Sequence, residues 1–320
     1  MTDMITYAQT LPAAGETVIG SSFELGFGGK GANQAVMCAV LGATVSFVAC
    51  VGDDVFGEMA LENLTAHGID TSAVTVSAGA ASGAAPIWVD GSGENRIVVV
   101  PGANDLLSAD AVEHSLSVAR PDVVVCQLEI PEACVDRALR TAREQGAVSI
   151  LNPAPMKELD SRLLSLCRWL IPNGSELDAI AQQLGLDPSM PVRELVPRVG
   201  SLLDVDIVVT LGAEGAMIYG REEQSLFPVA APAAQVVDTT GAGDAFVGAF
   251  AYAVAIGIAP EEATLFGCAC ASASVEARGT QTSFPRDKRL AALKRTIQHL
   301  CPSELSSDGP TLIRKEGYGT

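Results

Sequence analysis

The chain has 320 residues, 48% of them hydrophobic, with 31 glycines and a formal net charge of -18, enough for one large α/β domain with a small appendage or for two modest domains. So acidic a chain lacks the clustered Lys and Arg that nucleic acid or an anionic membrane surface requires, and no apolar run reaches the roughly 18 residues that span a bilayer. The expectation is a soluble cytoplasmic or nuclear protein without a signal segment, its eight cysteines being buried thiols because they lie mostly in apolar runs and form no Cys-x-x-Cys pair.

Met1 to Phe27 mixes short apolar and polar residues around the turn Leu11 to Glu16, and from Thr17 to Phe27 the alternation fits a strand with one wet face. Next comes Gly26-Phe27-Gly28-Gly29-Lys30-Gly31-Ala32-Asn33. This run opens a helix with Ala32, Ala35, Val36, Ala39 and Val40 at helical spacing, followed by an apolar strand from Val45 to Val51. The loop holds a literal Gly-x-Gly-x-x-Gly with Asp53 downstream, so dinucleotide binding is one reading. Against it, the preceding strand alternates and Lys30 intrudes. Walker A fails because Gly31 stands where Ser or Thr should follow the lysine. Two readings stay open: a loop whose backbone approaches a ligand, with Lys30 and Asn33 beside it, or a plain strand-to-helix turn. Gly83 to Val100 alternates again around the turn Asp90 to Asn95, and with the first segment it suggests a small exposed β layer.

From Ala109 to Leu211 the pattern changes. Val123–Cys126, Val148–Leu151, Trp169–Ile171 and Ile207–Val209 are short apolar runs separated mostly by helical patterns such as Cys134 to Ala142 and Leu177 to Leu184, as in a buried parallel sheet. Each run ends in polar residues: Gln127 and Glu129, Asn152, Asn173 and Glu176, Thr210. In open α/β sheets ligands bind outside the carboxyl ends of the strands, so these ends describe one site. Glu129 suits sugar hydroxyls, and Asn173 and Glu176 suit magnesium and its waters near phosphates. Each also has a plainer reading as a helix cap or a solvated acid. Thr210 to Gly215 is a strand-to-turn loop fit for a nucleotide.

The stretch Val237-Asp238-Thr239-Thr240-Gly241-Ala242-Gly243-Asp244-Ala245-Phe246 organises the chain. Its glycines permit a tight turn, and Ala245, Phe246, Ala249, Phe250, Ala253 and Val254 repeat at helical spacing. The first amides of a helix have no partner within it and carry the positive end of its dipole, so they can hold a transferring phosphoryl group. A carboxylate beside that anion, Asp244, then makes sense as a base for the attacking hydroxyl. The alternative is a favourable acid in a helix's first turn. A second helix, rich in Ala, Ser and Cys, runs from Glu261 to about Ala277, and Pro302 to Thr320 lacks apolar periodicity and reads as a mobile tail.

Gly28 to Ala35, Ala103-Asn104, Asn152-Pro153-Ala154-Pro155, Asn173 with Glu176, and Asp238 to Asp244 together resemble, in order over residues 1 to about 300, the ribokinase-like (phosphofructokinase-B) sugar kinases. The likeness is greater to the ribose branch than to the adenosine or fructose branches. It implies a three-layer, doubly wound, mostly parallel α/β core over residues 28–81 and 102–300, with a β lid over 4–27 and 82–101, a tail over 301–320, and a homodimer formed through the lids. It implies ATP-dependent phosphorylation of the 5-hydroxyl of ribose with Mg2+ and activation by K+. By position, Asp244 is the base and the amides of Gly241, Ala242 and Gly243 the anion hole. Asp3, Gly28, Gly29, Lys30, Asn33 and Glu129 fall at the sugar; Asn173, Thr210, Gly212, Gly215, Gly243 and Cys268 fall at the nucleotide. Glu176 serves magnesium indirectly, while Asp238, Thr240, Ser274, Ala277, Gly279 and Ser283 surround potassium.

Two departures accompany the likeness. Cys268 stands where relatives place Asn or His against the adenine. The resemblance also places a buried strand ahead of Asp3, which a sequence opening at Met1-Thr2-Asp3 does not supply. Losing a central strand leaves unpaired edges and costs several kcal/mol of a typical ~5 to 15. A sugar- or nucleotide-binding protein with impaired catalysis, and a related pentose or nucleoside kinase, are therefore the alternatives.

Overall fold

The computed structural model describes residues 1–298; the tail expected from residue 301 lies outside them. Among them, no helix is long and apolar enough to cross a membrane. In chain order the elements begin with β1 (Thr2–Tyr7), β2 (Ser22–Phe27), α1 (Lys30–Leu41), β3 (Ala49–Gly52), α2 (Val55–Ala66), β4 (Val74–Ser77), β5 (Ala84–Val89) and β6 (Asn95–Ile97). There follow α3 (Ala109–Ala119), β7 (Val123–Cys126), α4 (Glu132–Gln145), β8 (Val148–Leu151), α5 (Ser161–Leu164), β9 (Trp169–Leu170), α6 (Gly174–Gln183), α7 (Val192–Leu203) and β10 (Asp206–Thr210). The last are β11 (Ala216–Gly220), β12 (Ser225–Val229), α8 (Ala242–Ala255), α9 (Pro260–Ser274) and α10 (Asp287–Gln298).

The apolar runs form the main sheet because both of their faces must be covered. Its order is β12-β11-β10-β9-β8-β7, parallel from β7 to β10 and antiparallel at β11 and β12. Alternation within a strand divides the core in two: Ile207 and Val209 of β10 join one cluster with α3, α4, α6 and α7, while Val208 joins the other with α1, α8 and α9. This gives the expected three layers. On the second face Trp169 meets Phe250 edge to face at 5.3 Å.

Two local expectations change. The strand read from Thr17 starts only at Ser22, because Ser21 N bonds back to Tyr7 O and Gly20 approaches that carbonyl where a Cβ would lie at 3.0 Å. The strand read from Val45 shortens to Ala49–Gly52, since Val45 and Phe47 instead bond to the backbone of Asp70. β3 and β4 form a separate parallel pair, and β7 is the edge of the six-stranded sheet.

The lid is a four-stranded sheet, β2-β1-β5-β6, with β1 antiparallel to β2 and parallel to β5. Thr2–Tyr7 thus occupies an inner position in the lid, not recognised from its own alternation. β2, mostly exposed, belongs to this sheet and not to the parallel core. That removes the dinucleotide reading, which needs a buried parallel strand ahead of the glycine loop.

Candidate active site

Asp244 sits in the first turn of α8, after Gly241 at φ 77° has turned the chain into the helix. It is 6% exposed. Its oxygens are held by α1: Asn33 Nδ2 donates to Oδ2 at 2.8 Å and Gln34 Nε2 to Oδ1 at 3.0 Å. Gly248, one turn further along α8, makes this possible. A Cβ there would lie 2.7 Å from Gln34 O and from Met37 Cβ, so only glycine lets α1 and α8 approach so closely.

The same network continues outward. Gln34 Nε2 also donates to Asn152 Oδ1, Gln127 Nε2 donates to Gln34 Oε1, and Asn152 Nδ2 donates to the Ile171 carbonyl. The ends of β7, β8 and β9 therefore supply polar groups to one place, as their sequence positions implied. Gln34 carried no role in the sequence reading, although a buried amide on an otherwise apolar helix face was its visible sign.

Lys30, Asn152, Asn173, Glu176, Thr210, Gly243 and Asp244 line one cavity. Asn173 and Thr210 are joined by an isolated bridge. Asn173 caps α6 in a full capping box: Glu176 N donates to its Oδ1 at 2.9 Å, and its own N donates to Glu176 Oε2 at 2.8 Å. The cap reading thus holds for these two residues, which also line the cavity, and the other Glu176 oxygen takes no part in the cap.

Glu129 reaches the start of α1, where its Oε2 accepts from Lys30 N at 2.7 Å, a favourable place for a carboxylate. Gly28 packs against Asp3 so tightly that a Cβ would collide with the carboxylate, and Gly29 turns at φ 88°. Burial raises the pKa of Asp3 to about 6. Burial also raises those of Glu129, Glu176 and Asp244, against the opposing pull of Lys30 on each. For Asp244 the bonds from Asn33 and Gln34 pull the same way as Lys30. Three carboxylates around one lysine, with Asp3 and the Met1 ammonium beside them, make an electrostatically costly cluster, and this cost is typical of a site shaped for chemistry.

Of the remaining expected residues only Gly243 lines this cavity. Gly212 and Gly215 flank a turn after β10, at φ 59° and 94°, and Cys268 lies in the core on α9 at 4% exposure. None of these three lines the cavity. Of the three anion-hole amides, Ala242 N donates to Thr239 O, whereas a Cβ on Gly243 would meet nothing within 4 Å. Asp238 accepts from Thr240 N, Thr240 Oγ1 and Gly279 N at 2.9, 2.7 and 2.9 Å, tying two loops together. Burial works to raise its pKa, but these bonds outweigh it and hold the carboxyl low. The Ser274 and Ser283 hydroxyls bond to the carbonyls of Ala271 and Thr280, and Ala277 N bonds to Ser274 O.

A helix start open to an anion, with a buried carboxylate beside it and a lysine opposite, under a β lid, defines a phosphotransferase acting on a hydroxyl. Comparison with known proteins makes this specific. The pfkB family carbohydrate kinase pattern matches residues 1–287. The chain is 39% identical over 294 residues to ribokinase of Mus musculus, covering 91% of each. To deoxyribokinase of Salmonella typhi it is 37% identical over 299 residues, 89% of this chain and 93% of that one. The solved structure of Arabidopsis thaliana ribokinase complexed with ribose and ATP superposes with a TM-score of 0.81 at 30% identity, covering 91% and 95% of the two chains. The chain belongs to the pfkB family of carbohydrate kinases; it is a sugar kinase.

Proposed function

We infer that this enzyme transfers the γ-phosphoryl group of ATP to the 5-hydroxyl of D-ribose, giving ribose 5-phosphate and ADP. The observation that carries the reading is the Asp244 carboxylate, buried at the start of α8 and facing the cavity with Lys30. Asp244 takes the hydroxyl proton as the oxygen attacks phosphorus, and the amides of Gly241 to Gly243 with Lys30 meet the charge on the phosphoryl oxygens. Ala242 N donates to Thr239 O, so Gly241 and Gly243 are the better placed donors. Asp3, Gly28, Gly29, Lys30, Asn33 and Glu129 bind sugar hydroxyls. Asn173, Thr210, Gly212 and Gly215 serve the nucleotide, and Cys268 stands behind the base.

ATP brings a divalent metal such as Mg2+, which neutralises phosphate charge; the free Glu176 oxygen suits its waters. Potassium fits the paired loops of Asp238, Thr240, Ser274, Ala277, Gly279 and Ser283. Carbonyls, hydroxyls and one carboxylate held ionised are hard donors suited to a hard ion. Two enzymes pair through their lids, whose exposed Phe23, Leu25, Trp88 and Ile97 are otherwise left to water. The cysteines among the described residues are all free, which fits a reducing compartment such as the cytoplasm.

The test is ATP-dependent phosphorylation of ribose with magnesium, in potassium and again in sodium. Product formation that rises with potassium supports the whole reading. A folded chain protected from thermal unfolding by ATP and ribose, yet forming no product, is instead a binding protein. Since a deoxyribokinase is among the similar proteins, 2-deoxyribose is the competing substrate. A higher kcat/KM for it than for ribose overturns the assignment of the sugar.

Asp3 gives a pH signature. Its ionised form accepts hydroxyl hydrogen bonds, and its pKa is about 6. KM for ribose should therefore rise as pH falls through about 6. In Asp3→Asn it should be higher at neutral pH and flat across that window, as steady-state titration will show.

A further inference from the structure

Asn33 donates one amide hydrogen bond to Asp244, and its own oxygen is not free. Gln281 Nε2 donates to Asn33 Oδ1 at 2.9 Å, and Asn63 Nδ2 donates to Gln281 Oε1 at 2.8 Å. Three side-chain amides from α1, the turn Gln281–Ser283 and α2 thus form one directional chain that ends on the base. Asn33, Gln281 and Asp244 are 5%, 4% and 6% exposed, so water cannot readily substitute for a missing link.

Each amide has one accepting and one donating end, whereas a carboxylate only accepts. Ionised Asp244 therefore requires the N–H end of Asn33. This turns the Asn33 oxygen to Gln281, the Gln281 N–H2 to Asn33, and the Gln281 oxygen to Asn63. The orientation is set as a unit, and bonds in such a chain polarise and strengthen one another. It cannot slip at one link without placing two oxygens, or two N–H groups, face to face.

We propose that Asn63 and Gln281 are positioning residues for phosphoryl transfer: acting through Asn33, they hold an N–H on Asp244 Oδ2 and fix the carboxylate plane that receives the hydroxyl proton. This rests on Asp244 being the base. Neither residue needs to touch the substrate. The relay also couples α2, on the β3–β4 side of the molecule, to the first turn of α8, across sequence separations of 218, 248 and 211 residues. Gln281 lies between Gly279 and Ser283, so the loop ascribed to potassium reaches the base through this one side chain.

The decisive variants are at Asn63, the half-buried outer end. Asn63→Asp places an acceptor at both ends of the chain, which leaves one link with two oxygens opposed. Asn63→Leu removes the last donor without adding charge. The charged groups facing Asp244 are Lys30 from α1, Asp3 from β1, Glu129 after β7 and Glu176 on α6, and they are the same in every variant. Both variants should lower kcat for ribose, Asn63→Asp by on the order of tenfold and Asn63→Leu by less, as the loss of a buried hydrogen bond implies. KM should move less than kcat, and the acid limb of the kcat profile should shift to higher pH in both. Gln281→Met, cutting the chain at its centre, should exceed Asn63→Leu in each respect, and thermal unfolding reports whether each variant is folded.

Wild-type kcat and acid limb in Asn63→Leu, with a shift only in Asn63→Asp, would mean that added charge alone acts and would overturn the relay. If Gln281→Met does not fold, the Asn63 pair still decides. Asp244→Asn run alongside separates the two ideas. Full activity there overturns the base assignment itself, whereas an inactive Asp244→Asn beside an unperturbed Asn63→Leu overturns only the relay.

Discussion

Replacing Asp244 by Asn is expected to cut phosphorylation of ribose by ~10²-fold or more, the usual range for a positioned general base. The fold should persist, because the amide has nearly the same shape and α8 is fixed by Phe246, Phe250 and the other buried residues of its apolar face. ATP should protect the variant from thermal unfolding as it does the wild type. The stability comparison has a definite sign. Burial raises the Asp244 pKa in the folded protein, so the native state favours the protonated form. That stabilising contribution is complete below the ordinary carboxylate pKa of about 4 and is lost as pH rises through the higher folded value. The unfolding midpoint of Asp244→Asn, relative to wild type, should therefore climb as pH rises through this window. An offset that is flat with pH would mean Asp244 is not held as a buried charge, and undiminished activity would remove its role as the base. Wherever the wild type is ionised it bears this cost, and the ionised form is the one that accepts a proton.

The sequence carried the parts of this site that are local. A glycine turn followed by Ala245, Phe246 and Ala249 at helical spacing gives α8 and its open first turn directly, because φ at Gly241 and the burial of one face are properties of a few adjacent residues. The polar ends of β7, β8 and β10 were likewise visible, since apolar runs covered on both faces stop where the sheet edge meets solvent. What could not be read was pairing between distant segments. Thr2–Tyr7 becomes an inner lid strand only by pairing with both Ser22–Phe27 and Ala84–Val89, and the second partner is far away in sequence. Asn63 and Gln281 carry no local mark at all. Each reads as an ordinary polar residue, and only the packing of α2 and the Gln281 turn against α1 makes them neighbours. Asn173 and Glu176 show a different limit: their spacing fits a capping box and a ligand-binding pair equally, and the capping box that forms still leaves both residues lining the cavity.

The turn that opens α8 yields the second large effect. In Gly241→Ala, kcat should fall on the order of 10²-fold, as when a donor to a developing anion is displaced. Two separate strains produce it. Gly241 has φ 77°, where a residue with a Cβ pays roughly 1–2 kcal/mol. The added Cβ would also collide with Thr280 Cγ2 and lie 3.2 Å from Thr280 Cβ. Thr280 cannot easily withdraw, since its loop is tied to Asp238 through Gly279 N and its neighbour Gln281 bonds to Asn33. The strain is therefore relieved by the helix start itself, which moves the amides of Gly241 and Gly243 relative to Asp244. The two causes can be separated by adding Thr280→Ser, which deletes Cγ2 and leaves the positive φ. The double variant should recover part of the lost kcat while its unfolding midpoint stays below that of Thr280→Ser alone, because the backbone strain remains. Full recovery would assign the whole effect to Cγ2, and no recovery would assign it to the positive φ together with the remaining approach to Thr280 Cβ. Wild-type kcat in Gly241→Ala would show that the precise path of this turn does not matter for holding the phosphoryl group, and the anion hole would have to be sought elsewhere.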